Sequence, residues 1–117
     1  MNLISRVSGK VLFINLFDEH LIQQLKQNED VFLVGISTEE VSNIPYKSEF
    51  DYIHTFKLGK NEIPYENGYF NFIIGKNIFS ECSNLPKTIR ELNRILSTDG
   101  VLLCVEPNVQ FYSHFIN

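Results

Sequence analysis

The stretch KVLFINLFDEHLIQQLKQNEDVFLVGI, residues 10–36, decides the fold. Its two ends, KVLFINL (10–16) and VFLVGI (31–36), are continuous apolar runs of strand length, rich in β-branched and aromatic residues and lacking strict alternation. That pattern belongs to strands covered on both faces. Between them, Asp18 stands where a helix cap belongs, and Leu21, Ile22 and Leu25 recur at helical spacing while Gln23, Gln24 and Lys26 take the wet side. A polar break at residues 28–30 closes the unit. A strand, a helix and a second strand in this order pack as a parallel pair with a right-handed crossover.

The same alternation continues outward. From 37 to 49 the signal weakens, because a helical turn around residues 39–41 is stopped by Pro45. FDYIHTF (50–56) alternates and reads as a third strand, at an edge. Gly, Pro and Asn punctuate residues 59–68, and YFNFIIG (69–75) is a fourth, buried strand. Residues 85–96 give the clearest helix: Ser83 or Asn84 caps it, Pro86 suits its first turn, and Ile89, Leu92, Ile95 and Leu96 make an apolar stripe. Asp99 and Gly100 end it. VLLCV (101–105) is a fifth strand, broken by Pro107 and Asn108 before a short aromatic tail. The expected architecture is one domain, residues 1–117, built on a doubly wound, mostly parallel, Rossmann-like sheet of about five strands, with ligands taken beyond the carboxyl ends of the strands.

Composition narrows the function classes. A formal net charge of -4 disfavours nucleic acid and anionic membranes as partners, and the tightest basic spacing, Lys57 with Lys60, is too thin for a basic stripe. No apolar run approaches the ~18 residues of a spanning helix, which points to a cytoplasmic protein. Cys82 and Cys104 lack metal-binding or redox spacing and are expected as free thiols. No metal site is expected.

From residue 10 to residue 107 the order of segments resembles class I S-adenosylmethionine-dependent methyltransferases, in particular their small-molecule branch. The later half carries the likeness in IPYENGYFNFIIG (63–75) and RELNRILSTDGVLLCVEP (90–107). The resemblance implies a strand order 3-2-1-4-5 and S-adenosylmethionine as cofactor. It places the cofactor-site positions at Asn15 and Phe17 on the first-strand corner, at Ser37 after the second strand, and at Lys60 and Asn61 after the third. In the family that corner is glycine-rich, since the backbone must approach the cofactor closely; here it reads Asn15, Leu16, Phe17. The acidic residue that accepts the ribose hydroxyls is replaced by Ser37, with Glu39 or Glu40 as substitutes from the next turn. Where an aspartate holds the adenine amino group, Lys60 has no acceptor to offer.

The chain is therefore expected to be a degenerate, non-catalytic methyltransferase-like domain that serves as an interaction or regulatory module. The alternative is an active small-molecule methyltransferase that holds its cofactor through backbone groups, Ser37, Glu39 and Asn61, or with a second subunit. A receiver-like module would need clustered acids, which Asp18, Asp51 and Asp99 do not supply. His20, His54 and His114 are scattered and read as structural; Glu81 and Cys82 read as a solvated loop; Glu106 ends the fifth strand. No catalytic residue is identified. The tail does not supply the family's C-terminal antiparallel hairpin, so the fifth strand is expected to keep an open edge. Phe111, Tyr112, Phe115 and Ile116 would then cover it, the tail folding back on its own sheet as a short helix, or meet a partner, with a homodimer or a protein partner the favoured outcome.

Overall fold

A computed structural model describes residues 7–38, 47–106 and 109–114, with Glu81 and the last six residues traced by their backbone. Ten elements follow in chain order: β1 (Gly9–Ile14), α1 (Glu19–Lys26), β2 (Val31–Ser37), a short 3-10 turn (Lys47–Glu49), β3 (Tyr52–Thr55), β4 (Phe70–Lys76), α2 (Ile78–Glu81), α3 (Leu85–Ile95), β5 (Leu96–Glu106) and β6 (Val109–His114). They form one six-stranded sheet in the order β3-β2-β1-β4-β5-β6. The first five strands are parallel in the order 3-2-1-4-5 that the sequence pattern implies.

Side chains alternate across the central strands because successive Cβ atoms point to opposite faces. Leu12 and Ile14 of β1, with Val34 and Ile36 of β2, face a core that includes Leu92, Ile95 and Ile78 from α3 and α2. Val11 and Phe13 face the other way, with Leu33 and Ile74, and meet Ile22 and Leu25 of α1. Both ends of the first crossover are therefore buried, which is why the runs at 10–16 and 31–36 show no polar alternation. Helix α1 starts as its sequence suggests, with Asp18 Oδ1 accepting the Leu21 N–H at 2.9 Å.

Three expectations are corrected. First, the fifth strand is not left at an open edge: β6 pairs with it antiparallel, from Glu106↔Val109 to Val101↔His114. Only residues 107 and 108 separate the two strands, the spacing of a tight hairpin. The aromatic, β-branched stretch VQFYSH thus pairs with β5, where the sequence suggested an end. Second, α3 stops at Ile95 and Leu96 opens β5 directly, so Asp99 and Gly100 belong to the strand. Pairing with β4 steps from Phe70↔Leu96 to Phe72↔Val101, and the surplus residues bulge. Gly100 permits this, since a Cβ there would lie 2.5 Å from Leu96 Cδ1 and 2.9 Å from the Ser97 carbonyl. Third, α3 buries Thr88, Leu92 and Ile95, whereas Ile89, expected in the apolar stripe, is 38% exposed. No helix among the described residues is long and apolar enough to cross a membrane.

Candidate functional site

The carboxyl ends of the parallel strands meet at Asn15, the residue after β1. Its φ of 55° is left-handed, a conformation asparagine tolerates better than other residues with a Cβ. The Asn15 N–H donates to the Ile36 carbonyl at 2.9 Å, and Asn15 Oδ1 accepts the Thr38 N–H at 2.9 Å and the Thr38 hydroxyl at 3.3 Å. One amide side chain thus ties the end of β1 to the end of β2. Its Nδ2 is buried with no hydrogen-bond partner among the described residues. Leaving such a donor unmet costs about 1–3 kcal/mol, so this is a position where ligand or strain is to be expected.

Beyond Asn15 the corner turns away from the sheet edge and into the core. Leu16 and Phe17 pack against the α1 side, with Phe17 5.5 Å from the Phe50 ring and Phe13 6.1 Å from it. Phe50 in turn lies on Gly35, where any Cβ would come within 3.0 Å of the ring. Ser37 is buried at 3% exposure, and its carbonyl accepts the Phe56 N–H at 2.9 Å. Lys60 and Asn61 are exposed on the loop after β3; the Lys60 carbonyl accepts Lys87 Nζ at 3.0 Å. The structure therefore brings Asn15, Ser37 and Thr38 together and puts Phe17 into packing. Glu39 and Glu40 lie outside the described residues.

Sequence reasoning missed what lies between these loops. Thr38, Lys57, Leu58 and Ser83 line a cavity of about 340 Å³. The Ser83 N–H and hydroxyl both donate to the Leu58 carbonyl, at 3.4 and 3.2 Å, and Gly59, at φ 85°, passes so close to Asn84 that a Cβ would lie 2.8 Å from its nitrogen. The loop after β3 and the loop before α3, distant in the chain, are thereby joined. No local sequence pattern announces such a wall.

The end of β4 is held from β5. Asn77, left-handed at φ 56°, donates its N–H to the Val105 carbonyl at 2.8 Å. Glu106 Oε1 accepts the Phe79 and Ser80 N–H groups at 3.1 and 3.0 Å, capping the short α2 that the sequence presented as a polar loop. Glu106 Oε2 is buried without a partner among the described residues. Cys82 is half-buried, its thiol against the Phe79 carbonyl at 3.4 Å, and Cys104 is buried. Burial, with the Glu106 charge adding, pushes the Cys104 thiol up to about 12, so it stays protonated and inert. The Glu81 side chain lies outside what is described.

The histidines do not converge. His20 is exposed at the start of α1, His114 sits in β6, and His54 of β3 shares a 2.8 Å hydrogen bond between Nε2 and the Tyr65 hydroxyl. Burial first, then the neighbouring Tyr69 and Tyr52, pushes the Tyr65 phenol up to about 12, which keeps it a neutral hydrogen-bonding group. No group of three or more metal-ligating side chains occurs among the described residues. A second feature unseen from sequence is the clamp on the loop before β4. Glu91 accepts the Ile63 N–H at 2.7 Å, while Arg94 donates to the Ile63 and Tyr65 carbonyls at 2.8 and 2.7 Å and pairs with Glu91 at 2.9 Å. The three-residue spacing of Glu91 and Arg94 on one helix was the available signal.

No protein-family model matches the sequence, and no curated protein matches it. Solved structures do. An S-adenosylmethionine-dependent methyltransferase from Aquifex aeolicus superposes with a TM-score of 0.61 at 20% identity, covering 82% of this chain and 55% of its own. The CMeT domain of citrinin polyketide synthase reaches 0.68 at 15% identity, over 83% and 28% of the two chains. The DszA carbon methyltransferase reaches 0.66 at 13%, again over 83% and 28%. The chain thus spans about half the length of the Aquifex protein, 55%. Likeness at this level of identity establishes the architecture, and the architecture is the Rossmann-like fold of class I S-adenosylmethionine-dependent methyltransferases.

Proposed function

We propose that this chain is a methyltransferase-fold domain that no longer grips S-adenosylmethionine in the family's manner and works as an interaction or regulatory module. One observation carries the reading: the Asn15 side chain crosses from the end of β1 to Thr38 at the end of β2, in the corner where a bare backbone would be needed for close approach of the cofactor. The remaining positions add to it. Ser37 is buried, the Thr38 hydroxyl is turned to Asn15, Lys60 is a donor, and Asn61 is exposed. The residues present do not fit the cofactor as its usual partners do. Isothermal titration with S-adenosylmethionine and S-adenosylhomocysteine is the test; no heat of binding is expected, and micromolar affinity for either overturns the reading.

A second reading has its own support. Asn15 keeps the left-handed corner, and its unmet Nδ2 is a buried donor at the place where a ligand would arrive. On this reading the chain is an active small-molecule methyltransferase that uses non-standard cofactor contacts or a second subunit. Transfer of labelled methyl groups to acceptors from a broad panel distinguishes the two.

The module reading includes a homodimer or protein partner. Since β6 takes the edge of β5, the contact is assigned to the outer edge of β6, and sedimentation equilibrium should show a concentration-dependent dimer. A cytoplasmic setting is part of the same proposal and fits two unpaired cysteines.

A further inference from the structure

The lysine that the sequence singles out only for its spacing, Lys57, is the one charged side chain among the described residues lining the cavity at the ends of β2 and β3 and before α3. At about 340 Å³ this cavity lies at the lower end of the roughly 300–1,000 Å³ usual for small-ligand sites. It opens at the carboxyl end of a parallel sheet, where such folds take ligands. Its walls are fixed by backbone ties: Phe56 N–H to Ser37, Ser83 to Leu58, and the close pass of Gly59 over Asn84.

Lys57 makes no ion pair among the described residues. Among the described carboxylates, Glu91 is bound to Arg94 and to the Ile63 N–H. Glu39 and Glu40 follow Thr38 in sequence and lie outside the described residues. The polar lining offers hydroxyls. Thr38 donates at 3.3 Å and Ser83 at 3.2 Å, both long for O–H···O bonds, so either proton can swing to an incoming acceptor.

We propose that the cavity walled by Thr38, Lys57, Leu58 and Ser83 binds a small ligand through a phosphate group, with Lys57 as the recognising cation. A phosphate supplies several strong acceptor oxygens to one ammonium and two re-aimed hydroxyls, and an ammonium serves phosphate well as a point charge. Leu58 gives the attached organic part an apolar contact. With one ammonium and two hydroxyls, the described lining offers donors to a ligand rich in acceptors.

The test is a titration of the isotope-labelled full chain, followed by amide NMR shifts, with adenosine 5′-monophosphate, inorganic phosphate and adenosine as separate probes. The nucleotide and inorganic phosphate should each give saturable shifts at Thr38, Leu58 and Ser83, and adenosine should give none. Lys57→Gln should weaken nucleotide binding about tenfold or more with the spectrum otherwise intact. Lys10→Gln, the same charge change at the opposite end of β1, should leave it unaltered. Adenosine binding as well as its monophosphate, equal loss in both variants, or an affinity indifferent to Lys57→Gln overturns the proposal. S-adenosylmethionine, which carries no phosphate, is run in parallel and reports on the cofactor reading alone.

Discussion

At the scale of single residues, Asn15 carries the most information. It combines a left-handed backbone, two hydrogen bonds to Thr38 and one unmet donor, so substitutions there separate effects that usually travel together. Asn15→Val should destabilise the domain by about 2 kcal/mol or more in urea denaturation, because a β-branched residue pays heavily for positive φ and returns no hydrogen bond. Asn15→Gly should cost far less and, by clearing the corner, should raise affinity for S-adenosylmethionine if side-chain bulk is what excludes it. Glu91 makes a different kind of prediction. Its hydrogen bond to Arg94 and the Ile63 N–H hold its carboxyl below the usual glutamate range, so its contribution to stability is complete above that range and disappears as pH falls through the lowered value. Acid titration of the melting temperature should therefore show a drop below the ordinary glutamate range that Glu91→Gln flattens. The identity of the corner residues was legible in sequence, since a missing glycine is visible there. The clamp and the cavity beside Lys57 were not, because Glu91 meets Ile63 and Leu58 meets Ser83 only through the fold.

At the scale of elements, the crossover β1–α1–β2 was readable because both of its strands are covered on two faces and its helix has a capped, one-sided stripe. The edges were harder. Pro107–Asn108 gives the same local signal whether a chain ends a strand or reverses it, and only pairing with β5 decides. Helix α3 misled in phase: Leu85 and Ile89 lie four residues apart on an outward line at 44% and 38% exposure, while Thr88 turns inward by bonding the Asn84 carbonyl at 2.8 Å. Truncation after Glu106 should strip the partner from β5 and produce concentration-dependent association, read by light scattering, because an open strand edge seeks another. Gly100→Val should cost about 1–3 kcal/mol through overlap with Leu96 and the Ser97 carbonyl.

At the scale of the molecule, two apolar clusters on opposite sides of one sheet share β1 as their midrib. Phe13 is fully buried on the α1 side, and Phe13→Ala should cost about 3–5 kcal/mol, a large part of the roughly 5–15 kcal/mol that holds a domain of this kind together. Circular dichroism on heating should show that variant largely unfolded at physiological temperature. The slip between α3 and β5 has a consequence for how the chain tolerates change in length. Thr98 and Asp99 are exposed, and pairing resumes only at Val101, so the bulge of surplus residues within β5 acts as slack in the thread. One extra residue placed between them should be absorbed there and leave every later side chain on its own face. The same insertion after Leu102 would swap inside for outside along the rest of the strand, and the two chains would part company in a simple solubility assay.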